Sequence, residues 1–241
     1  MVSWHRMPAS PPPAAYDCVR LVGSFAELLA TPFAGKVNAL CWPRPLPGDF
    51  GEVVAQLGAG DGIRSLDETS LAGLALGPAG RIARDLLLAD LQLLGSHGLA
   101  PELNCIHDYP RDDAAAVVPT DVFSFHADRA PVEAATWLCT YHGPASEGLR
   151  NEEAQRRVDD PATRAALLAE YGGADDDGFR DFLREHCYDL HYAPRPQARP
   201  YAFGTGNLWR IAVDWPGCPV PPCLHRAPAT SPGETRLLLI S

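Results

Sequence analysis

The sequence predicts an α+β domain with a mainly β core. Helical periodicity is confined to the first hundred residues and to one later segment, whereas the rest consists of short β-rich runs bounded by Pro, Gly or Asp. Many short strands separated by turn residues are typical of a sandwich or barrel. The chain of 241 residues is 46% apolar and can bury a sizeable core. We expect a flexible Pro-rich arm at residues 1–16 and one domain over residues 17–241.

The N-terminal part carries the predicted packing helices. Ser24 is a suitable N-cap for a short helix over Phe25–Ala30, and Asp49–Leu57 has helical spacing. The strongest helical pattern is Ala79–His97, whose apolar residues recur at steps of three and four and should pack against a sheet. That apolar stripe consists of Ile82, Leu86, Leu87, Leu91 and Leu94.

Short β-rich runs dominate after residue 100. The predicted strands, with two earlier ones, are Asp17–Val22, Val37–Trp42, Glu102–Tyr109, Asp121–His126, Thr136–His142, Leu190–Ala193, Tyr201–Phe203, Leu208–Val213 and Thr235–Ile240. Between about residues 146 and 186 the chain becomes charged, and we predict a helical insertion between core strands with helices at Asn151–Val158, Pro161–Tyr171 and Asp177–His186. This insertion is interpreted either as a lid over the mouth of a barrel or as a peripheral, solvated pair of helices.

Composition excludes several classes of function. The net charge of −10 argues against a nucleic-acid-binding surface, which needs a basic footprint. The seven cysteines are scattered and form no Cys-x-x-Cys pair, which favours free buried thiols in a cytoplasmic protein. No apolar stretch is long enough for a membrane span, and the N-terminus does not resemble a signal peptide. Nucleophile-elbow, P-loop and dinucleotide-binding motifs are absent from the sequence.

The residues that carry chemistry centre on His126 and Asp128. In an extended strand, side chains at positions i and i+2 point to the same face, so this spacing places an imidazole beside a carboxylate. The distant His225 can complete a set of three ligands. Two histidines and one carboxylate, with open positions on the metal, form the facial triad of non-haem Fe(II) oxygenases. Taken singly, each residue has an ordinary structural interpretation; taken jointly, they predict a metal site.

The order of these residues resembles that of the Fe(II)/2-oxoglutarate oxygenases, in which an Arg follows the second His by about ten residues. Arg236 follows His225 by eleven residues within an apolar run. From about residue 36 onward the chain also looks like a family of uncharacterised bacterial proteins. The segments that carry this likeness are Val37–Leu46, Phe125–Asp128, Trp137–Pro144, His225–Pro228 and Arg236–Leu239. The chain departs from the family pattern at Ala145-Ser146, at Ala227 and in the insertion after Gly148.

The resemblance implies a double-stranded β-helix, which is a jelly-roll or cupin-like fold, with N-terminal packing helices. It also implies Fe(II), 2-oxoglutarate and O2, with His126, Asp128 and His225 as metal ligands. Arg236 would pair with the distal carboxylate of 2-oxoglutarate through its bidentate fork. The implied reaction is oxidation of an unactivated C–H bond in a small molecule, such as an amino acid in natural-product biosynthesis, with release of succinate and CO2. Hydroxylation, desaturation and oxidative ring closure all stay open.

Further polar or aromatic residues are weaker candidates. Thr140 could hydrogen-bond 2-oxoglutarate, and Arg129 could contact an anionic group of the substrate. Trp137 could wall the pocket, and Asn104 and His107 could face it. Each has an ordinary alternative as a strand residue, a rim charge or a packed core side chain. The remaining candidate histidines are not expected to bind the metal: His142, His186 and His191.

Two alternatives of different classes remain at this stage. A cupin-type metalloenzyme would use the same ligands without 2-oxoglutarate, and substitution of Arg236 would then leave metal binding and activity intact. A non-catalytic binding protein would show no thermal stabilisation by Fe(II) and 2-oxoglutarate, because only a ligand of the native state raises the melting temperature. Neither the oligomeric state nor the identity of the substrate follows from the sequence.

Overall fold

The computed structural model describes residues 16–112, 116–231 and 233–241, so the predicted arm lies outside them apart from Tyr16. The described residues form an α+β structure with two sheets, which confirms the α+β class. The strands are β1 (Val19–Leu21), β2 (Ala39–Trp42), β3 (Ile63–Leu66), β4 (Glu102–Ile106), β5 (Phe125–His126), β6 (Ala135–His142), β7 (Glu147–Leu149), β8 (Ala154–Arg156), β9 (His191–Pro194), β10 (Tyr201–Ala202), β11 (Leu208–Ala212), β12 (Leu224–Arg226) and β13 (Arg236–Ile240). The helices are α1 (Phe25–Ala30), α2 (Phe50–Leu57), α3 (Glu68–Ala72), α4 (Pro78–Ser96), α5 (Pro161–Tyr171) and α6 (Asp177–Glu185). Among these helices, none combines the length and the hydropathy that a membrane span requires.

The larger sheet has seven strands in the order β1-β2-β11-β6-β13-β4-β3. Its neighbours are antiparallel except for β1 and β2, which run parallel. One face of this sheet packs against the N-terminal helices through a large apolar cluster. We call this the helix face, and it carries Leu103, Trp137, Cys139, Leu237 and Leu239.

Helix α4 and most of its apolar stripe match the prediction: Leu87 and Leu94 are buried, and Leu86 and Leu91 pack against the same cluster, whereas Ile82 is 50% exposed. The buried side also includes the small residues Gly80 and Ala83, which lets α2 approach closely. The Glu52 carboxylate of α2 accepts hydrogen bonds from the backbone N–H groups of Gly77 and Gly80, which supplies the N-terminal cap that α4 lacks in its own sequence.

The smaller sheet has six strands in the order β10-β7-β12-β5-β9-β8. A second apolar cluster joins the other face of the larger sheet to this sheet; it includes Ile106, Leu138 and Leu238 from one side and Tyr201 and Cys223 from the other. We call the sides that meet here the inner faces. The outer face of the smaller sheet has its own small cluster, which contains Phe125, Ala127 and Leu224.

The predicted insertion is partly sheet. Asn151–Val158 was expected to be a helix, but it consists of two 3-10 turns that flank strand β8. The helices α5 and α6 match their predictions closely and pack together around Val118, Val158, Leu167, Phe179 and Leu183, next to the β8 edge. Strand β8 forms because its residues pair with β9, and such long-range pairing leaves no helical or alternating signature in three residues.

All seven cysteines are free thiols, as predicted. Five are buried, whereas Cys187 is exposed and Cys218 is intermediate. The structure therefore contains no disulfide in the described residues.

Candidate metal centre

Two neighbouring strands of the smaller sheet bring the predicted metal ligands together. His126 ends β5 and pairs directly with His225 of β12, and Asp128 lies two residues beyond His126. The two imidazole centroids are 4.5 Å apart. The Asp128 carboxylate oxygens lie 4.0 Å from Nε2 of His126 and 3.6 Å from Nε2 of His225. One ligand atom from each residue lies within 4.8 Å of the others, so the three side chains could hold a metal ion.

Backbone carbonyls fix the tautomer of both histidines. Nδ1 of His126 lies 2.8 Å from the carbonyl oxygen of Ser124, and Nδ1 of His225 lies 3.3 Å from that of Cys223. A carbonyl can only accept, so each Nδ1 carries the proton and each Nε2 carries a lone pair. Both lone pairs are on the atoms nearest the Asp128 carboxylate, and this arrangement is typical of histidines that bind metal.

The ionisation states also suit a metal site. Burial, followed by the nearby His225, lowers the pKa of His126 to about 4. Burial alone would raise the pKa of Asp128, but the neighbouring His225 and the hydrogen bond from Thr136 outweigh it, and the pKa is lowered. Near neutral pH the site therefore offers an unprotonated imidazole at His126 and an ionised carboxylate, which are the forms that bind metal ions.

Thr136 orients the carboxylate ligand, and its local sequence does not indicate this role. Its Oγ1 donates a hydrogen bond to Oδ2 of Asp128 from β6 of the larger sheet. The backbone N–H of Asp214 donates to the carbonyl oxygen of Asp128 at 2.8 Å. Asp128 is thus held from both its side chain and its backbone, although it lies just beyond the end of a strand. Only the packing of the two sheets brings Thr136 to this position.

Arg129 does not present a free charge to a substrate, contrary to the prediction. Its guanidinium forms ion pairs with Asp189 at 2.5 Å and with Asp214 at 2.8 Å. These two carboxylates already neutralise the arginine. Its role in the structure is to join the segment after β5 to the segments before β9 and after β11, which stabilises the backbone next to Asp128.

Arg236 is buried in the inner face of the larger sheet without a carboxylate partner. Its side chain donates to the hydroxyls of Tyr109 at 2.9 Å, Thr140 at 3.1 Å and Ser146 at 2.6 Å. The residue is 1% exposed, and burial lowers the pKa of its guanidinium. Its Nε atom has no hydrogen-bond partner among the described residues, and none of their carboxylates forms an ion pair with it. A buried cation in this state is costly unless an anion joins it.

Arg236 and Thr140, which were both predicted to bind 2-oxoglutarate, are therefore in contact with each other. Two further hydroxyls, those of Tyr109 and Ser146, also contact the guanidinium. Tyr109 and Ser146 were not singled out from the sequence. Tyr109 follows β4 and Ser146 precedes β7, and nothing in their local sequence indicates a contact with an arginine far along the chain. The guanidinium and the three hydroxyls around it suit a carboxylate, which can accept a hydrogen bond from each of them.

Two of the predicted substrate residues point away from the metal group. Trp137 lies on the helix face, where its ring packs against Phe25 at a centroid distance of 5.7 Å. His107 continues the side of β4 that carries Cys105, and its ring contacts the Cys105 thiol and the Thr235 hydroxyl. Both predictions were wrong, because adjacent residues of a strand face opposite sides of the sheet.

Asn104 does lie on the inner face. It pairs with Leu238, whose side chain belongs to the cluster between the two sheets, and it is 7% exposed. Its Oδ1 accepts a hydrogen bond from the Ser65 hydroxyl at 2.9 Å. This contact fixes the amide within the sheet, and a role towards a substrate stays a prediction.

Comparisons with protein-family models, with curated proteins and with solved structures found no match for this chain.

Proposed function

We propose that this protein is an Fe(II)/2-oxoglutarate-dependent oxygenase that oxidises an unactivated C–H bond of a small molecule. The observation that carries the proposal is the buried Arg236, which has three hydroxyl partners but no anionic partner among the described residues. It shares the inner faces with the His126, Asp128 and His225 group. A metal group alone fits many proteins. A metal group beside a buried, unpaired guanidinium fits a ligand that chelates a metal at one end and carries a carboxylate at the other.

The position of Arg236 relative to the histidines supports such a ligand. Ser146, which accepts from the guanidinium, lies two residues before Gly148, and Gly148 pairs directly with His225. Two residues of extended chain span roughly 7 Å. The Ser146 hydroxyl, and with it the guanidinium, therefore lies at the start of β7, the strand next to His225, and about two residues further along.

The donor set fits Fe(II). Two imidazoles and one carboxylate leave positions open on an iron ion, and this is the ligand set of non-haem iron oxygenases. When bound, Fe(II) and 2-oxoglutarate supply the oxidative chemistry that activates O2 and yields succinate and CO2. The chain's own residues bind and orient: His126 and His225 present Nε2, Thr136 holds Asp128, and Arg236 offers a planar fork to the distal carboxylate.

The architecture supports a double-stranded β-helix as the finer fold assignment. The metal group lies on the smaller sheet, Arg236 lies on the larger sheet, and the inner faces of both pack together through one apolar cluster. This packing would keep bulk water from the space between them, which strengthens electrostatic contacts with a bound anion.

Anaerobic titration of the metal-free protein with Fe(II) and then 2-oxoglutarate tests the proposal directly. We expect a weak visible absorption band once both are bound, and we expect His225→Ala to abolish it. His142→Ala is the matched control, because His142 is half-buried near α2 and outside the metal group. Metal retention without a band on adding 2-oxoglutarate would favour a cupin-type metalloenzyme, and no metal retention would favour a non-catalytic protein.

A second measurement concerns turnover. Under air, the loaded protein should convert 2-oxoglutarate to succinate, and His126→Ala should remove this activity. Succinate formation that survives in His126→Ala at the wild-type rate would contradict the proposal.

A further inference from the structure

Three buried polar atoms at the neighbouring strands β5, β9 and β8 have no hydrogen-bond partner among the described residues. They are Nδ1 of His191, Nε of Arg157 and Oγ of Ser124. His191 is 4% exposed and Ser124 is 7% exposed. Unpartnered buried polar atoms are rare and costly in proteins, so three of them on neighbouring strands are candidates to bind a polar ligand.

These atoms extend the row of histidines across the smaller sheet. His225, His126 and His191 are cross-strand partners on the neighbouring strands β12, β5 and β9, and such partners face the same side. The His126 and His191 ring centroids are 5.7 Å apart. His191 lies outside the three-residue metal group, so it is adjacent to the metal site and is not one of its ligands.

Arg157 adds a positive charge at the end of this row. It directly follows Arg156, which ends β8 and pairs with Tyr192, so it lies opposite His191 just beyond the end of β8. Burial, and then the charge of Arg157, lower the pKa of His191 to about 4. Arg156 pairs with Asp159, whereas Arg157 forms no ion pair with the described residues.

The new group lies on the side of the metal ligands that is remote from Arg236. The strand order is β7-β12-β5-β9-β8. Ser146, the contact of Arg236, precedes β7, whereas His191 and Arg157 lie at β9 and β8. The His126 and His225 pair is therefore located between the buried Arg236 and the partly buried Arg157, and in each arginine the Nε atom is buried without a partner among the described residues.

We propose that Arg157 and His191, assisted by Ser124, form a subsite that binds the carboxylate of a small carboxylic acid, such as an amino acid. The role of this acid as the substrate rests on the proposed function, but its binding does not. A guanidinium, an imidazole and a hydroxyl can each donate to a carboxylate. The carboxylates of Asp112 and Asp121 also lie near His191, so the surroundings favour a monoanion or zwitterion over a dianion.

Thermal unfolding of the full chain, without O2, tests this subsite. The protein is saturated with Mn(II) and 2-oxoglutarate, and each of the common amino acids is then compared with its primary amide, which lacks the anionic charge. We expect at least one amino acid to raise the melting temperature while its amide does not. Arg157→Gln should weaken the binding of that amino acid by about tenfold or more.

Arg156→Gln is the matched control, because Arg156 is the adjacent arginine and already pairs with Asp159. It should leave the amino-acid shift unchanged. In Arg157→Gln, the shifts caused by Mn(II) and by 2-oxoglutarate should persist, which shows that the variant is folded. If Arg157→Gln lacks a cooperative transition, Arg157→Lys serves instead; it keeps the charge but loses the planar fork, and it should give an intermediate affinity.

The outcomes separate the two proposals. If no amino acid stabilises the protein, or if Arg157→Gln binds as tightly as the wild type, the subsite is refuted while the oxygenase proposal stands. If Mn(II) and 2-oxoglutarate give no shift in the wild type, the oxygenase proposal fails. In that case, a rise in melting temperature that an amino acid causes in the wild type but not in Arg157→Gln still supports the subsite. If no amino acid raises the melting temperature of the wild type, the subsite is still refuted.

Discussion

Substitution of Arg236 by Gln should remove the binding of 2-oxoglutarate and leave the metal group intact. The side chain of Arg236 is 1% exposed and, within the described part of the chain, has hydroxyl partners but no anion, so a bound carboxylate would be its main ionic contact. Two charge-assisted hydrogen bonds contribute about 3–6 kcal/mol together. Their loss raises the dissociation constant by more than about 100-fold.

The expected size of the thermal shift follows from mass action. At a ligand concentration 100 times its dissociation constant, 2-oxoglutarate stabilises the native state by about 2.7 kcal/mol. For a chain of this size, that corresponds to a rise in melting temperature of about 5–11 °C. At the same concentration, Arg236→Gln should show a rise of only about 1 °C over its own ligand-free baseline.

The assay is differential scanning fluorimetry with Mn(II) present throughout and 2-oxoglutarate added last. Arg210→Gln is the matched control, because this arginine lies on the adjacent part of the same sheet and donates to backbone carbonyls at the end of α1. It should keep the full shift with 2-oxoglutarate. An equal shift in Arg236→Gln and in the wild type would refute the reasoning and favour a metal site that does not use 2-oxoglutarate.

Two further predictions concern the support of the site and of the fold. Thr136→Val should lower metal affinity by about 10–100-fold, because Asp128 loses its orienting hydrogen bond. Competition with a chromogenic chelator measures the metal affinity, and an unchanged affinity would contradict the prediction. Asp90→Asn leaves the charge of Arg44 buried without its partner and should cost about 3–5 kcal/mol of unfolding free energy in urea. The exposed control Asp85→Asn should cost less than about 1 kcal/mol, and equal losses would argue against the buried pair.

Local patterns were sufficient for the elements that depend on local interactions. The helix at Phe25–Ala30 has the predicted bounds, since Ser24 accepts from the backbone N–H of Glu27. Helix α5 also matches, with Asp160 as its cap and Gly172 in a left-handed conformation at its end. By contrast, the three-residue strands β7 and β8 form through partners distant in the chain, and no local periodicity indicates them.

Strand direction explains the errors in the site. Both faces of strand β6 are buried, and its sequence does not tell which face meets the helices and which meets the other sheet. Trp137 was assigned to the pocket, but it faces the helices, while its neighbour Thr136 contacts Asp128. A shift of one residue reverses every assignment along a strand.

The sequence by itself determined the pairing of His126 with Asp128 on one side of a strand, because that relation depends only on the extended backbone. It also indicated that Arg236, an arginine within an apolar run, would need partners. The tertiary structure decided which residues those partners are: Thr140 and Ser146 reach the guanidinium, and Arg157 ends the row of histidines. Strand order and sheet packing arise from contacts summed over the whole chain, so no local segment encodes them.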